Sequence, residues 1–144
     1  MIAVNPFDPG SKTFRVRALF SESDHEIIKK IMGKEGIGMI VPFIDEELAN
    51  EVMSGKVYPI PKNHFEILFR HLAPDTFTRI ENSLSIANIY SVGLIWHDML
   101  LGTITFALKR GETLTNSSLI ETFARVASIM LHRKSADDAL KESE

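Results

Sequence analysis

The 144-residue chain contains no cysteine. This absence excludes a disulfide framework, thiolate-bound zinc, iron–sulfur clusters and any chromophore attached through a thioether. Long apolar runs are also absent, so the sequence offers no transmembrane helix. The start, MIAVNPFDPG, lacks the basic residues and apolar core of a signal peptide. Together these absences lead us to expect a cytoplasmic domain.

Neither sign of charge dominates the chain. Its 16 Lys and Arg residues and 19 Asp and Glu residues give a net charge of -3 at pH 7 and are interspersed. We therefore expect neither nucleic acid nor an anionic membrane as a partner. Hydrophobic residues make up 44% of the sequence, which is enough for one soluble globular domain with a substantial core.

Turn residues and apolar periodicity predict a mixed α and β fold. Two short strands are expected around the turn Asp8-Pro9-Gly10-Ser11. Residues 57–60 are expected to be extended, because Pro59 and Pro61 restrict the backbone there. A Ser-x-x-Glu capping box and a capping aspartate indicate helix starts at Ser23 and Asp45. The predicted strands are 2–4, 14–20 and 57–60, and the predicted helices are 23–32, 45–53, 63–72 and 74–84.

A central hairpin is predicted from the apolar segments NIYSVGLIW and LLGTITFAL, followed by a long helix from about Asn116. We expect a three-residue loop, His97 to Met99, which pairs Trp96 with Leu100 and segregates large from small side chains. A two-residue loop at Asp98-Met99 is the alternative and would mix the two sets. The expected bulky face is Tyr90, Val92, Leu94, Trp96, Leu100, Ile104, Phe106 and Leu108, and the expected small face is Ser91, Gly93, Thr103, Thr105 and Ala107.

The bulky face needs a cover, and the C-terminal helix is expected to supply it. The covering side chains are predicted to be Leu119, Ile120, Phe123, Val126, Ala127, Met130 and Leu131. The small, partly polar face is then left to border a cavity roofed by the middle helices.

Residues 89–133, a strand, a short turn, a Leu-Gly-containing strand and a Thr-Asn helix start, resemble the second half of a GAF domain. EELANEVMSGKVYPIP at 46–61 resembles the mid-domain helix and following strand of that family, and residues 2–21 resemble its opening hairpin. The tail HRKSADDALKESE resembles the linker to a PAS domain or kinase core in bacterial and archaeal sensor histidine kinases. The resemblance implies an α+β fold: a central antiparallel sheet with helices on both faces and a small-molecule pocket on one of them.

Departures from the family limit the ligand. The sequence starts at the expected first strand, so the helix that usually precedes this strand in the family is not expected in it, and the Asn-Lys-Phe-Asp-Glu string of cyclic-nucleotide-binding members is absent. Without cysteine, thioether-linked bilin and the thiol chemistry of methionine sulfoxide reductases of this fold are excluded. The chain itself is therefore expected to be a regulatory domain and no enzyme, with a histidine kinase as its parent. The cofactor remains unknown.

The candidate pocket lining is Ser91, Gly93, Thr103, Thr105, Phe43, His64 and Phe65. His64 and His71 are seven residues apart and could ligate haem, although solvent-facing or capping histidines are commoner and no metal site is predicted. His132 lacks the neighbours of a phosphorylated histidine and is expected to be a basic residue near a helix end. Trp96 is expected in the core.

Two functions follow from the sequence. In the first, residues 1–131 sense a small molecule or signal, and residues 132–144 form a helical linker toward a downstream PAS or kinase domain. In the second, the domain is a structural dimerisation and relay module whose cavity is filled by its own side chains. Both predict a homodimer through the terminal helices.

Overall fold

The computed structural model describes residues 1–20, 22–32, 38–42, 46–62 and 74–143. Within these residues, seven antiparallel strands form a sheet of order β4-β2-β1-β7-β6-β5, and β3 also pairs with β1. The strands are β1 Ile2–Asp8, β2 Thr13–Arg15, β3 Ala18–Phe20, β4 Ile40–Pro42, β5 Tyr58–Pro59, β6 Ile86–Trp96 and β7 Met99–Lys109. The described helices are α1 Glu22–Met32, α2 Glu46–Met53, α3 Pro74–Leu84 and α4 Ser117–Ser143. The α+β prediction is confirmed.

The opening strands differ from the prediction in one respect. The strand expected over residues 14–20 is divided into β2 and β3. The division occurs because the Val16 N–H donates to the Met39 carbonyl, whereas the Arg17 N–H donates to the Val4 carbonyl of β1. The helix predicted at 74–84 is present as α3. The helix predicted at 63–72 and the capping residue Asp45 lie outside the described residues.

The centre of the β6–β7 hairpin has the predicted register, but its tip does not. Ser91 pairs with Thr105 and Gly93 with Thr103, as expected, whereas Trp96 pairs with Met99. The loop is therefore the two-residue turn His97-Asp98, and both residues adopt positive φ, 44° and 61°, as tight hairpin turns require.

A β-bulge reconciles this short turn with the central register. Leu94 pairs with Gly102 and Ile95 with Leu100, which leaves Leu101 as the extra residue. The bulge shifts the alternation of side chains by one position. As a result, Leu101, where we expected Leu100, packs with the cluster around Val92 and Leu94. Large and small side chains still lie on opposite faces, because the bulge at Leu101 offsets the one-residue change in pairing at the turn.

Helix α4 covers the bulky face, as predicted, but only some of the predicted side chains make the contact. Ala124 and Ser128 are its buried residues, each 1% exposed, and they lie on the same side of α4 as Ile120 and Ala127. Their small size allows the helix backbone to approach Val92 and Ile104 closely, and the Ser128 hydroxyl donates to the Ala124 carbonyl within the helix. The prediction is confirmed for Ile120 and Ala127. It is wrong for the other five residues, since Leu119, Phe123, Val126, Met130 and Leu131 are all exposed.

The opposite face of the sheet is covered at one end by α1 and α3. Ile28 of α1 and Ile80 and Leu84 of α3 form a buried cluster with Ile89 and Ala107 of the sheet. Because Ile89 and Ala107 lie on the face of Ser91 and Thr105, this cluster borders the predicted small face. The core therefore has two parts, one on each side of β6 and β7.

We predict that Ala124→Leu lowers the free energy of unfolding by about 1–3 kcal/mol, because the larger side chain overfills the contact with the sheet. Phe123→Ala, one residue away, should change it by less than about 0.5 kcal/mol in dilute solution, because Phe123 is 67% exposed. Urea unfolding of both variants measures the difference. A greater loss for Phe123→Ala that does not depend on protein concentration would show that α4 rests on the sheet through Phe123.

Candidate functional site

Five polar side chains lie on neighbouring strands, on the face of the sheet opposite α4. The strand pairs Asn5 with Thr103, Thr105 with Ser91 and Ser91 with Tyr58 bring them together. We call this set the polar row: Asn5, Tyr58, Ser91, Thr103 and Thr105. Asn5, Tyr58, Ser91 and Thr103 are buried, and Thr105 is partly buried.

Hydrogen bonds connect the side chains of the polar row across β1, β7 and β6. Asn5 Nδ2 donates to Thr103 Oγ1 and to Thr105 Oγ1, both at 3.2 Å. The oxygens of Ser91 and Thr105 are 3.4 Å apart, and Ser91 Oγ donates to the Ile104 carbonyl at 3.2 Å. Buried polar groups are stable only when most of their hydrogen bonds are made. The row is therefore a hydrogen-bonded polar cluster that lies between apolar clusters.

Tyr58 ends the row at the edge of the sheet. Burial raises the pKa of its hydroxyl above the ordinary value, the hydrogen bond with Ser91 opposes this, and the charge of Glu51 adds to the increase. The phenol is therefore neutral at physiological pH. The other four side chains of the row carry no charge either, so the whole row is polar but uncharged.

Gly93 of β6 is also on this face, where it is covered by α2. A Cβ built on Gly93 would lie 2.1 Å from the carbonyl oxygen of Val52, near the end of α2. Only glycine permits this approach, because any side chain would displace the helix backbone. The lack of a side chain at Gly93 thus allows α2 to pack against the sheet beside the polar row.

The structure brings together four of the predicted lining residues and leaves the other three undescribed. Ser91, Thr103 and Thr105 share the polar row, with Gly93 next to them under α2. Phe43, His64 and Phe65 lie outside the described residues, as does His71. Whether the four residues line a ligand pocket stays a prediction. Among the residues described, no group of three or more His, Asp or Glu side chains could hold a metal ion.

Sequence reasoning missed Asn5 and Tyr58. Asn5 interrupts the apolar strand IAVNPF, and a polar residue in a buried strand was the available signal. Tyr58 had no comparable signal, because its position opposite Ser91 depends on how the two-residue strand β5 joins the sheet edge.

Two predicted roles at the hairpin tip need correction. His132 lies well inside α4, 11 residues before Ser143, and its ring stacks on Trp96 with centroids 4.6 Å apart and 22° between the planes. It is therefore no helix-end residue. Trp96 is partly buried and lies on the α4 face as predicted, with His97 against its edge at 4.5 Å.

Comparison with known proteins establishes the fold. No protein-family model matches the chain, and no curated protein matches it either. Among solved structures, the chain is similar to a domain described as that of a two-component sensor histidine kinase from Sinorhizobium meliloti (17% identity, 97% of this chain and 83% of the other, TM-score 0.56). It is also similar to the GAF domain of PixJ from Thermosynechococcus elongatus (14%, 99% and 79%, 0.56) and to a phycocyanobilin-bound GAF domain from a cyanobacterial phytochrome (12%, 99% and 78%, 0.58).

These similarities extend over most of the chain, so its fold is that of a GAF domain. The resemblance predicted from the sequence is thereby confirmed at the level of the fold. The solved relatives are sensory domains, one from a histidine kinase and two from photoreceptors. None of the helices in the described ranges is long and apolar enough to cross a membrane.

The raised pKa of Tyr58 predicts a loss of stability in alkali. The unfolded chain releases this proton near pH 10 and the folded chain releases it later, so the stabilisation present below pH 10 falls as the pH rises through the folded-state pKa. Tyr58→Phe should cost roughly 1 kcal/mol at neutral pH through the lost hydrogen bond and should make unfolding less sensitive to alkali.

Urea unfolding at pH 9 and pH 11 tests this difference, with Tyr90→Phe as the control because Tyr90 is on the other face of the same sheet. Equal alkaline losses in the unmodified chain and in Tyr58→Phe would show that Tyr58 is not protected by burial.

Proposed function

We propose that this chain is a small-molecule- or signal-sensing regulatory domain of a two-component sensor histidine kinase. The observation that carries the proposal is the uncharged polar row on one face of a GAF fold whose other face holds the long helix α4. A kinase relative of similar fold supports this class of parent protein. The domain is itself no enzyme, and it acts in the cytoplasm.

The two faces of β6 and β7 provide the route of the signal. Ser91 alternates along β6 with Val92, and Thr103 and Thr105 flank Ile104 along β7. Val92 and Ile104 belong to the cluster that packs against Ala124 of α4. A molecule bound at the polar row would therefore act on strands whose reverse side holds α4, so occupancy can bias the position of the helix.

The outer side of α4 supports a homodimer. Leu119, Phe123, Val126 and Met130 are 50–67% exposed, and their spacing of four, three and four residues is that of a coiled-coil seam. We call these four residues the α4 seam. They lie on the opposite side of the helix from Ala124 and Ser128, so a second copy can pair there while each helix stays on its own sheet.

The end of α4 supports the role of an output linker. Residues 133–143 are all exposed and helical, and among them Leu140 is the large aliphatic side chain. We propose that residues 132–144 continue toward a downstream PAS or kinase domain, and that residues 1–131 are the sensor. A helix passing directly from sheet to linker transmits displacement without an intervening loop.

The alternative function is a structural dimerisation and relay module without a ligand. Two observations favour it: Val52 fills the space above Gly93, and the polar row already makes hydrogen bonds within itself. In that case the row would specify strand register and the α4 seam alone would have a signalling role.

Native mass spectrometry of freshly purified chain distinguishes the two functions. If the domain senses a small molecule, we expect a non-covalently retained mass, and Thr105→Leu should abolish its retention by placing an apolar side chain in the polar row. The fold should survive, since Thr105 is only partly buried. The exposed Thr122→Leu is the matched control and should retain the mass.

A chain without any retained mass, or a Thr105→Leu variant that keeps it, would contradict the sensing role at this face. The first result would favour the structural module.

A further inference from the structure

The nitrogen and the oxygen of the Asn5 side-chain amide differ in their hydrogen bonding. Both hydrogens of Nδ2 are donated, one to Thr103 Oγ1 and one to Thr105 Oγ1. These two bonds fix the orientation of the amide. Its carbonyl oxygen, Oδ1, receives no hydrogen bond from any residue in the described ranges, although the side chain is only 8% exposed. A buried acceptor without a donor costs about 1–3 kcal/mol.

Thr103 provides the complementary group beside this acceptor. Its Oγ1 accepts the hydrogen bond from Asn5, and no acceptor for the hydroxyl hydrogen of Thr103 is found in the part of the chain that the structure describes. Thr103 is 6% exposed. The side chains of Asn5 and Thr103 are hydrogen-bonded through Nδ2 and Oγ1. The acceptor Asn5 Oδ1 and the hydroxyl donor of Thr103 therefore lie next to one another in the polar row.

The position of Asn5 is fixed by the backbone. A Cβ built on Gly102 of β7 would lie 2.6 Å from the backbone carbonyl oxygen of Asn5. Glycine at position 102 therefore allows β1 to approach β7 closely. Asn5 is thus held at the centre of the sheet by strand pairing as well as by its side chain. A preorganised pair of this kind loses little entropy when it binds.

We infer that Asn5 and Thr103 recognise an uncharged amide or lactam group. The N–H of that group donates to Asn5 Oδ1, and its carbonyl accepts from the Thr103 hydroxyl. The inference rests on the proposed sensing function and deepens it by naming the class of ligand and a recognition residue, Asn5.

The chemistry of the row selects against charged ligands. A carboxylate would place its oxygens against Asn5 Oδ1, which is an acceptor, and the row contains no cation to compensate. A ketone fills only half of the pair and leaves Oδ1 without a donor. Sites that hydrogen-bond both ends of a polar group discriminate strongly against analogues that lack one end.

Thermal unfolding of the full chain with a matched series of probes tests the inference. Benzamide carries an N–H and a carbonyl, acetophenone carries the carbonyl alone, and benzoate is the anion of similar shape; 2-piperidone presents the same pair in a smaller ring. At concentrations several times the Kd, one or both amides should raise the Tm by roughly 2–4 °C. Acetophenone and benzoate should leave it unchanged.

Two variants assign the effect to the proposed pair. Asn5→Asp replaces the amide nitrogen by a second carboxylate oxygen, to which the Thr103 hydroxyl can donate. The ligand carbonyl then has no donor, so the amide-induced shift should be lost; Asn88→Asp, exposed on β6, is the matched control and should keep it. Thr103→Val has nearly the shape of threonine and removes only the hydroxyl. It should also lose the shift, and it provides the test if Asn5→Asp does not fold.

The inference is overturned if neither amide raises the Tm, if acetophenone or benzoate raises it equally, or if Thr103→Val keeps the shift. These failures are distinguishable from failure of the proposed function: a retained natural molecule without an amide leaves the sensing role intact, whereas absence of any retained mass contradicts that role.

Discussion

The register of the central hairpin is the constraint on which the rest of the structure depends. Side chains alternate along a strand, so a slip of one residue between β6 and β7 would place Ser91 and Thr105 on opposite faces. Each face would then carry a mixture of polar and apolar side chains, and neither the polar row nor the apolar cluster under α4 would form. A tight two-residue turn and the bulge at Leu101 together keep the register that avoids this mixing. The side chains found on each face therefore depend on how β6 pairs with β7.

The second constraint is the small size of Ala124 and Ser128. Because they bring α4 close to the sheet, the larger apolar residues of the helix turn outward. This arrangement gives α4 apolar residues on both sides, one set in the domain core and the other in the α4 seam. Exposed Leu, Phe, Val and Met at coiled-coil spacing are costly for a monomer, and the proposed pairing with a second copy would remove that cost.

Much of this arrangement could be predicted from the sequence. Alternation in NIYSVGLIW and LLGTITFAL was sufficient to place Ser91, Thr103 and Thr105 on one face. The predicted loop was wrong because His97-Asp98 lacks the glycine of the usual two-residue hairpin signals, Asn-Gly and Asp-Gly. Ile120 and Ala127 were predicted correctly among the helix contacts. The others were wrong because hydrophobicity favours Phe123 for burial, whereas the packing distance selects Ala124. Asn5 was missed because its role depends on the approach of β1 to β7 at Gly102.

The central claim is that α4 rests on its own sheet through small residues and reserves its large apolar residues for a second copy. Sedimentation velocity of Phe123→Glu tests this most directly, with Arg125→Glu as the control, since both residues are exposed on the same helix turn. We predict that the unmodified chain and Arg125→Glu are dimers at micromolar concentration, and that Phe123→Glu weakens dimerisation tenfold or more and sediments as a folded monomer. A monomeric unmodified chain, or a Phe123→Glu variant that still forms the dimer, would contradict the account.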